Sequence, residues 1–422
     1  MTLPVVRRVF ASLPAPVVLA AFAVAALVAS FHGAQASKGF SILYAFCRQT
    51  ACADGATPEG GLTADRAGNL YGTTYYGGTS GYGTAFEVAP DGTETVLYSF
   101  CTQPKCRDGA FPEAPLLERD GSLYGTTTSG GANKKGAVFK ISSAGTQTIL
   151  YSFCSQPNCA DGARPRAGVV MDKVGNLYGT TNRGGNTNCS KGCGTVFELA
   201  PGGTETVLYS FCSESNCTDG ARPRAPLTPS AGNLYGTTDS GGAANKGAVF
   251  RISSGGTETV LYSFCTQQNC ADGAQPAAGV VMDNAGNLYG TTSRGGDTNC
   301  PHGCGTVFEL AANGSETVLY AFCPKGNCSG GAQPGSGALL DVGNGKSLYG
   351  TTGAGGANGF GTVFKLSGGT PMVLYSFGNE DGSPSAGVIM VKGYLYGTTF
   401  GSSYQNDFGE VFKLGTAGSR TR

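Results

Sequence analysis

Past residue 36, apolar residues come in short runs rich in Val, Tyr, Phe, Thr and Leu, each bounded by Gly, Asn, Asp or Ser. Strands and their turns have this appearance. No stretch there keeps a 3.6-residue apolar period long enough for a helix. The runs also repeat. LYGTT recurs with its tyrosine at Tyr71, Tyr124, Tyr178, Tyr235, Tyr289, Tyr349 and Tyr396, seven copies 47 to 60 residues apart. A second run, G-x-[VA]-F-[EKR]-[LIV], places Phe86, Phe139, Phe197, Phe250, Phe308, Phe364 and Phe412. A third, LY[SA]F, places Tyr44, Tyr98, Tyr151, Tyr209, Tyr262, Tyr320 and Tyr375, and a weaker one precedes each LYGTT, as at residues 167–172.

Each unit therefore predicts four strands: A (AGVVMD), B (NLYGTT), C (GTVFEL) and D (TVLYSF). Four strands in about 50 residues is the size of a propeller blade, whereas the coil of a solenoid repeats at roughly 20–30. The phase of the repeats is informative. The first run is a lone D strand at 41–46, and the last repeat stops after its C strand at 409–414, so seven units are complete only if the N-terminal strand finishes the last blade. The expected fold is all-β, a seven-bladed β-propeller over residues 37–414, with 41–46 beside 409–414 and no open edge. Repeats two and four match closely, as do three and five, at a spacing of 111 (Tyr124 to Tyr235, Tyr178 to Tyr289). A two-blade unit has been copied. Residues that recur then read as scaffolding, and unrepeated residues as the place to look for function.

Ahead of the repeats, Arg7 and Arg8, an apolar run at 15–31 and Ala34-Gln35-Ala36 read as a signal peptide over residues 1–36, with an uncleaved N-terminal anchor as the alternative. Contact with a membrane is expected only if that segment is retained. Either way the chain is expected to be secreted or otherwise extracytoplasmic: in the periplasm, at the cell surface or outside the cell. Cysteine usage agrees. Six pairs follow D strands at C-x4-C spacing (Cys47/Cys52, Cys101/Cys106, Cys154/Cys159, Cys212/Cys217, Cys265/Cys270, Cys323/Cys328), and Cys189/Cys193 and Cys300/Cys304 lie in B–C loops, using all 16. Even, local pairing in an exported chain predicts disulfides, each stapling a small loop excursion. Repeat seven lacks both cysteines, and its loop at 378–382 is shorter. Zinc is the rival reading, but a structural site needs four ligands and only His302 stands near as an extra one. No metal and no cofactor are expected.

LYGTT followed by Gly-Gly, then GTVFKL, then TVLYSF, resembles the bacterial "GloVer" tandem repeat of choice-of-anchor extracellular proteins, over about residues 41–414. The resemblance implies export and a propeller-like array. It brings no catalytic residues with it. Residues 415–422 read as a short disordered tail without the sorting segment of anchored members.

Composition narrows the function. The 28 basic and 28 acidic side chains cancel, and charged residues make up only 13% of the chain, leaving no footprint for a nucleic-acid backbone. There is no Trp, and the two histidines are His32 and His302, so triad chemistry would rest on one loop residue beside a disulfide. Gly345-Lys346-Ser347 imitates the end of a phosphate-binding loop, but Leu340 stands where that loop needs its upstream Gly. In a propeller the D–A and B–C loops share one face, where function concentrates. On those loops, Asp-Gly pairs at Asp54, Asp108, Asp161, Asp219, Asp272 and Asp381 read as turns, with Gly330 in place of the sixth. A proline follows in all seven. Arg164, Arg166, Arg183, Arg222, Arg224 and Arg294 suggest an anionic ligand over blades three to five. Tyr75, Tyr76 and Tyr82 of repeat one, with Phe400, Tyr404 and Phe408 of repeat seven, suggest an aromatic patch across the ring closure. The sequence thus favours a monomeric extracellular binding module for a glycan or protein. The alternative is a polysaccharide-active enzyme, hydrolase or lyase, using unrepeated loop acids: Glu59, Glu113, Asp239, Asp297 and Asp407.

Overall fold

The computed structural model describes residues 39–297, 299–335, 337–401 and 407–416; residues 1–38, with the stretch read above as a signal peptide, Tyr404 and residues 417–422 lie outside them. In blade 3, Val170–Met171, Leu177–Thr181, Thr195–Leu199 and Glu205–Ser210 pair antiparallel in chain order. All seven sheets contain this four-strand plan, and in blades 4, 6 and 7 a short stretch of the D–A loop (Ala221–Pro223, Ala332–Pro334, Ser383–Pro384) pairs with the second strand as well. Blade 7 consists of Ile389–Val391, Tyr394–Phe400 and Glu410–Gly415, completed by Phe40–Ala45. Phe40 faces Leu414 and Ala45 faces Glu410, so the ring closes by the expected clasp.

Strand A is much shorter than the sequence suggests, pairing only at Val170 and Met171 of 167–172. Its first half is occupied otherwise. A Cβ on Gly168 would stand 2.6 Å from the Pro115 carbonyl oxygen, so this segment packs sideways on the neighbouring blade instead of along its own. The first Thr of LYGTT secures it there: Thr126 Oγ1 donates to the Ala167 carbonyl at 2.8 Å, Thr73 to Ala114 at 3.0 Å and Thr237 to Ala278 at 2.8 Å. Thr398 donates to Gly60 at 3.1 Å, carrying the same bond across the closure.

Between blades the core is made of phenylalanine. The C-strand Phe of each blade meets the D-strand Phe of the preceding one edge-on, from Phe46–Phe86 at 4.9 Å through Phe153–Phe197 at 5.0 Å to Phe377–Phe412 at 5.3 Å, at all seven interfaces. Such pairs add roughly 0.5–1.5 kcal/mol beyond area burial. They also explain the Gly of LYGTT. Gly72 pairs with Phe86, and a Cβ there would lie 2.5 Å from the ring, so a side chain at this position excludes the phenyl group.

At the rim, all eight expected disulfides form: Cys47–Cys52, Cys101–Cys106, Cys154–Cys159, Cys212–Cys217, Cys265–Cys270 and Cys323–Cys328 after the D strands, with Cys189–Cys193 and Cys300–Cys304 in B–C loops. The segments they close differ from the plain loops expected from the sequence. Thr50–Cys52, Pro104–Cys106 and Pro157–Cys159 are single tight 3₁₀ turns, as are Ser215–Cys217 and Gln268–Cys270. In the first three, the middle residue (Ala51, Lys105, Asn158) and the second cysteine (Cys52, Cys106, Cys159) sit in the left-handed region, with φ between 54° and 63°. The turn has no apolar period because three residues are too few to show one. Nor do these second cysteines only staple a loop excursion. The Cys52 carbonyl accepts from Gly55 N and Gly78 N, both at 2.9 Å, and the Cys106 carbonyl from Gly109 N at 3.0 Å and Gly131 N at 2.9 Å. The Cys159 carbonyl accepts from Gly162 N and Gly185 N, both at 2.9 Å, so each turn ties the D–A loop to the B–C loop of the next blade.

The Asp-Gly aspartates do more than shape a turn. Asp54, Asp108, Asp161 and Asp272 are fully buried, and each accepts the D-strand tyrosine hydroxyl and a backbone N–H of the cysteine loop; Tyr151 Oη lies 2.8 Å from Asp161 and Ser155 N also 2.8 Å. A glutamate from the next blade's D strand faces this group. Burial, with the neighbouring aspartate's charge adding, pushes Glu94, Glu205, Glu258 and Glu316 each up to about 7. Blade 2 has Gln147 instead, whose amide donates to the Asp108 carbonyl at 3.1 Å.

Candidate functional site

The D–A loops build the channel mouth. Before each loop proline except the last stands a non-glycine residue in the left-handed region: Thr57, Phe111, Arg164, Arg222, Gln275 and Gln333, with φ between 52° and 59°. Each such residue costs about 1 kcal/mol or more. The conformation is held by the preceding blade, whose B–C loop carbonyls accept the N–H: Phe111 N donates to Tyr82 O at 2.9 Å, Arg164 N to Lys135 O at 2.7 Å and Arg222 N to Cys193 O at 2.7 Å. The turn and the rigid proline aim the following residue at the axis. Around the ring that residue is Glu59, Glu113, Arg166, Arg224, Ala277, Gly335 and Ser385. The interblade threonine bonds accept at the carbonyl one residue further on, so these side chains grow from a pinned backbone.

A cavity of about 250 Å³ is lined by Glu59, Glu113, Arg166, Arg224, Ser385 and Phe400. Those residues come from blades 1, 2, 3, 4 and 7, and only the ring axis is open to all five. Arg166 Nε lies 3.6 Å from Glu113 Oε1, and Glu113 is 11% exposed. Burial pushes Glu113 up to about 6 against the pull of Arg166, and it raises Glu59 against Arg166 and Arg224. Beside this cavity a second one of about 400 Å³ opens between blades 3 and 4, walled by Arg166, Arg183, Lys191, Arg222, Arg224 and Asp239. Arg224 Nη1 is 3.9 Å from Asp239 Oδ1. Burial lowers the Arg183 pKa, with Arg164, Arg222 and Arg166 adding repulsion. The mouth is therefore acidic over blades 1 and 2, basic over blades 3 and 4, and uncharged at Ala277, Gly335 and Ser385.

Five of the six arginines singled out in the sequence gather here, Arg164 through a third cavity shared with Cys159, Arg183 and Lys191. Arg294 does not; it lines a separate cavity with Lys246 of blade 4, Gln275 and His302. Of the loop acids, Glu59, Glu113 and Asp239 reach the mouth. Asp297 instead accepts from Lys325 N at 3.2 Å, and Asp407 from Gly409 N at 2.9 Å, both holding loop backbone. The aromatic patch is arranged differently from the expectation. Tyr75 stacks on Phe111 at 4.9 Å and Tyr82 lies 5.2 Å from the same ring, so these tyrosines centre on a blade 2 residue that no motif marks. Tyr76, about half exposed, meets Tyr75 edge-on at 4.7 Å. Phe400 lines the axial cavity, and Phe408 packs on the core between blades 7 and 1. Ser385 and Phe111 escape motif reading. Ser385 follows the loop proline, a position where the repeats share no consensus, and that lack of consensus is the signal that marks it.

No curated protein matches the chain in sequence. Among solved structures, a Mycobacterium tuberculosis puromycin-hydrolysing peptidase is 11% identical with a TM-score of 0.54, over 88% of this chain and 54% of that one. A puromycin hydrolase is 14% identical with a TM-score of 0.55, over 88% and 53%. The chain spans about half the length of either, and at such identities the likeness concerns the fold alone. The profile of the Gloeobacter/Verrucomicrobia repeat matches residues 29–217, 157–339 and 267–422, and the chain belongs to that repeat family.

Proposed function

We propose that the protein is an extracytoplasmic binding propeller whose channel mouth takes the end of an acidic glycan. One observation carries this reading: in a ring whose walls repeat, the residue after the loop proline does not, and it brings Glu59, Glu113, Arg166 and Arg224 into one cavity. Arg164, Arg166, Arg183, Arg222, Arg224 and Lys191 face three acids, Glu59, Glu113 and Asp239, leaving cationic donors for an anionic ligand. Guanidinium forks match carboxylates bidentately, at roughly 1.5–3 kcal/mol per charge-assisted hydrogen bond. Phe400 supplies an exposed ring against which a sugar face can lie. Eight disulfides fit an oxidising compartment.

Titration calorimetry with oligomers of polygalacturonate and hyaluronan, against neutral cello-oligosaccharides, tests the reading. Acidic oligomers bind more tightly, and they weaken at least tenfold with R166A/R224A and as salt rises. Equal affinity for neutral and acidic chains, or indifference to the double substitution, refutes it.

A further inference from the structure

Resting on that reading of the mouth, we propose that it also hydrolyses the glycosidic bond of the chain it holds, with Glu113 as general acid and Glu59 as general base. The two carboxyl groups grow from touching segments. A Cβ on Gly60 would stand 2.8 Å from the Ala114 carbonyl group, so the residues just before them, Glu59 and Glu113, lie side by side on neighbouring blades and line one cavity. Their surroundings separate their roles. Glu113 is nearly enclosed, with Arg166 3.6 Å away, and burial keeps its proton to about pH 6, as an acid working near neutrality requires. The Glu59 carboxylate makes no hydrogen bond or ion pair among the described residues, which leaves its oxygens for a water molecule.

The arginines link binding to chemistry. A uronate carboxylate lies within one sugar ring of the glycosidic oxygen, so a carboxylate held by Arg166 and Arg224 brings that bond over the two acids. Taking Arg166 as its partner also removes the cation that holds Glu113 down, so substrate binding raises the proton affinity of the acid. Glu113 then gives its proton to the glycosidic oxygen as the bond from the anomeric carbon to that oxygen breaks. Water attacks the anomeric carbon and forms the new C–O bond, and its proton passes to Glu59. Solvent exchange afterwards strips Glu59 and reloads Glu113. The cycle consumes one water and needs no oxidant, reductant or metal.

The experiment incubates wild-type protein with polygalacturonate, alginate and hyaluronan between pH 4.5 and 8, measuring reducing ends and, separately, affinity by calorimetry. The wild type is expected to cleave at least one of the three, with a rate that falls above about pH 6–7 as Glu113 loses its proton. E113Q and E59Q each lose roughly 100-fold or more in rate, keep Kd within about threefold, and retain the wild-type near-ultraviolet dichroism. E113D, which keeps a carboxyl group, retains part of the rate. Binding without release of reducing ends at any pH overturns the hydrolytic proposal and leaves the glycan site standing. Full activity in E113Q or E59Q overturns the assignment of roles. Failure of the wild type to bind all three polymers overturns the glycan reading and the hydrolytic proposal with it.

Discussion

Replacing the rim glutamates Glu94, Glu205, Glu258 and Glu316 by glutamine should make the ring more stable at pH 8 and flatten its dependence on pH. In each case one carboxylate oxygen is buried without a hydrogen-bond partner while an aspartate of the neighbouring blade lies close. Burial, with that aspartate's charge, lifts each glutamate from 4.5 in the unfolded chain to about 7 in the fold. The raised group favours the folded state fully below pH 4.5, and that contribution drains away as pH climbs through 7. Every tenfold gain in proton affinity is worth about 1.4 kcal/mol, so the rise from 4.5 to about 7 sets a ceiling of ~3.4 kcal/mol per residue. These side chains are only half-buried, and solvent screening reduces this to about 1 kcal/mol each, or roughly 4 kcal/mol for four independent sites. Blade 2 already carries the substitution: Gln147 donates to the Asp108 carbonyl at 3.1 Å without needing a proton. Urea unfolding at pH 5 and pH 8 is the assay. Wild type loses several kcal/mol between the two, on the scale of the four-site sum. The quadruple variant loses much less, with a residual slope from Glu410, which burial and Asp407 push up to about 8. A quadruple variant as steep as the wild type, or weaker than it at pH 8, would refute this reasoning.

Two further outcomes follow from the ring itself. Deleting residues 39–46 removes the strand that completes blade 7 and bares the edge of Glu410–Gly415, so the shortened protein should aggregate on gel filtration and lose its single cooperative melt; a soluble monomer with a sharp transition would count against closure by the clasp. Gly72→Ala places a methyl group 2.5 Å from the Phe86 ring and should cost roughly 1–3 kcal/mol in urea unfolding, with most of it regained in G72A/F86L. A neutral G72A would mean that the Gly–Phe pairing does not set the B–C fit.

The repeating half of the protein is legible in the sequence because the same physical solution is written seven times. Phe86 and its six counterparts, the LYGTT runs and the lone strand at 41–46 are local patterns whose meaning survives copying, and they predict the blades, the clasp and the cysteine pairs. Strand A is shorter than its pattern because Gly168 and its neighbours are apolar for the sake of the next blade, and a contact across blades leaves no period in the chain. The pairing of Cys52, Cys106 and Cys159 is likewise written in their spacing, but the tight turn each one ends is not, since its carbonyl serves glycines of a B–C loop more than 20 residues away, such as Gly78, Gly131 and Gly185. Asp161 and its counterparts read as turn residues since Asp-Gly favours turns, while their partner Tyr151 stands ten residues away. At the mouth, the arginines are visible as a cluster. The convergence of Glu59, Glu113 and Arg224 is not, since they lie far apart in the chain and are joined only by the closed ring.

The left-handed residue and proline ahead of each mouth position have an evolutionary consequence. They separate folding from recognition: the turn, the threonine bond and the phenylalanine contact are inherited with each copied blade, while the side chain after the proline is free to drift. The duplicated pairs bear this mark, with Glu113 answered by Arg224 and Arg166 by Ala277, each at a distance of 111 residues in otherwise close copies. A lineage that duplicates its blades in this way can rewrite what it recognises by changing one residue per blade, without renegotiating the stability of the ring.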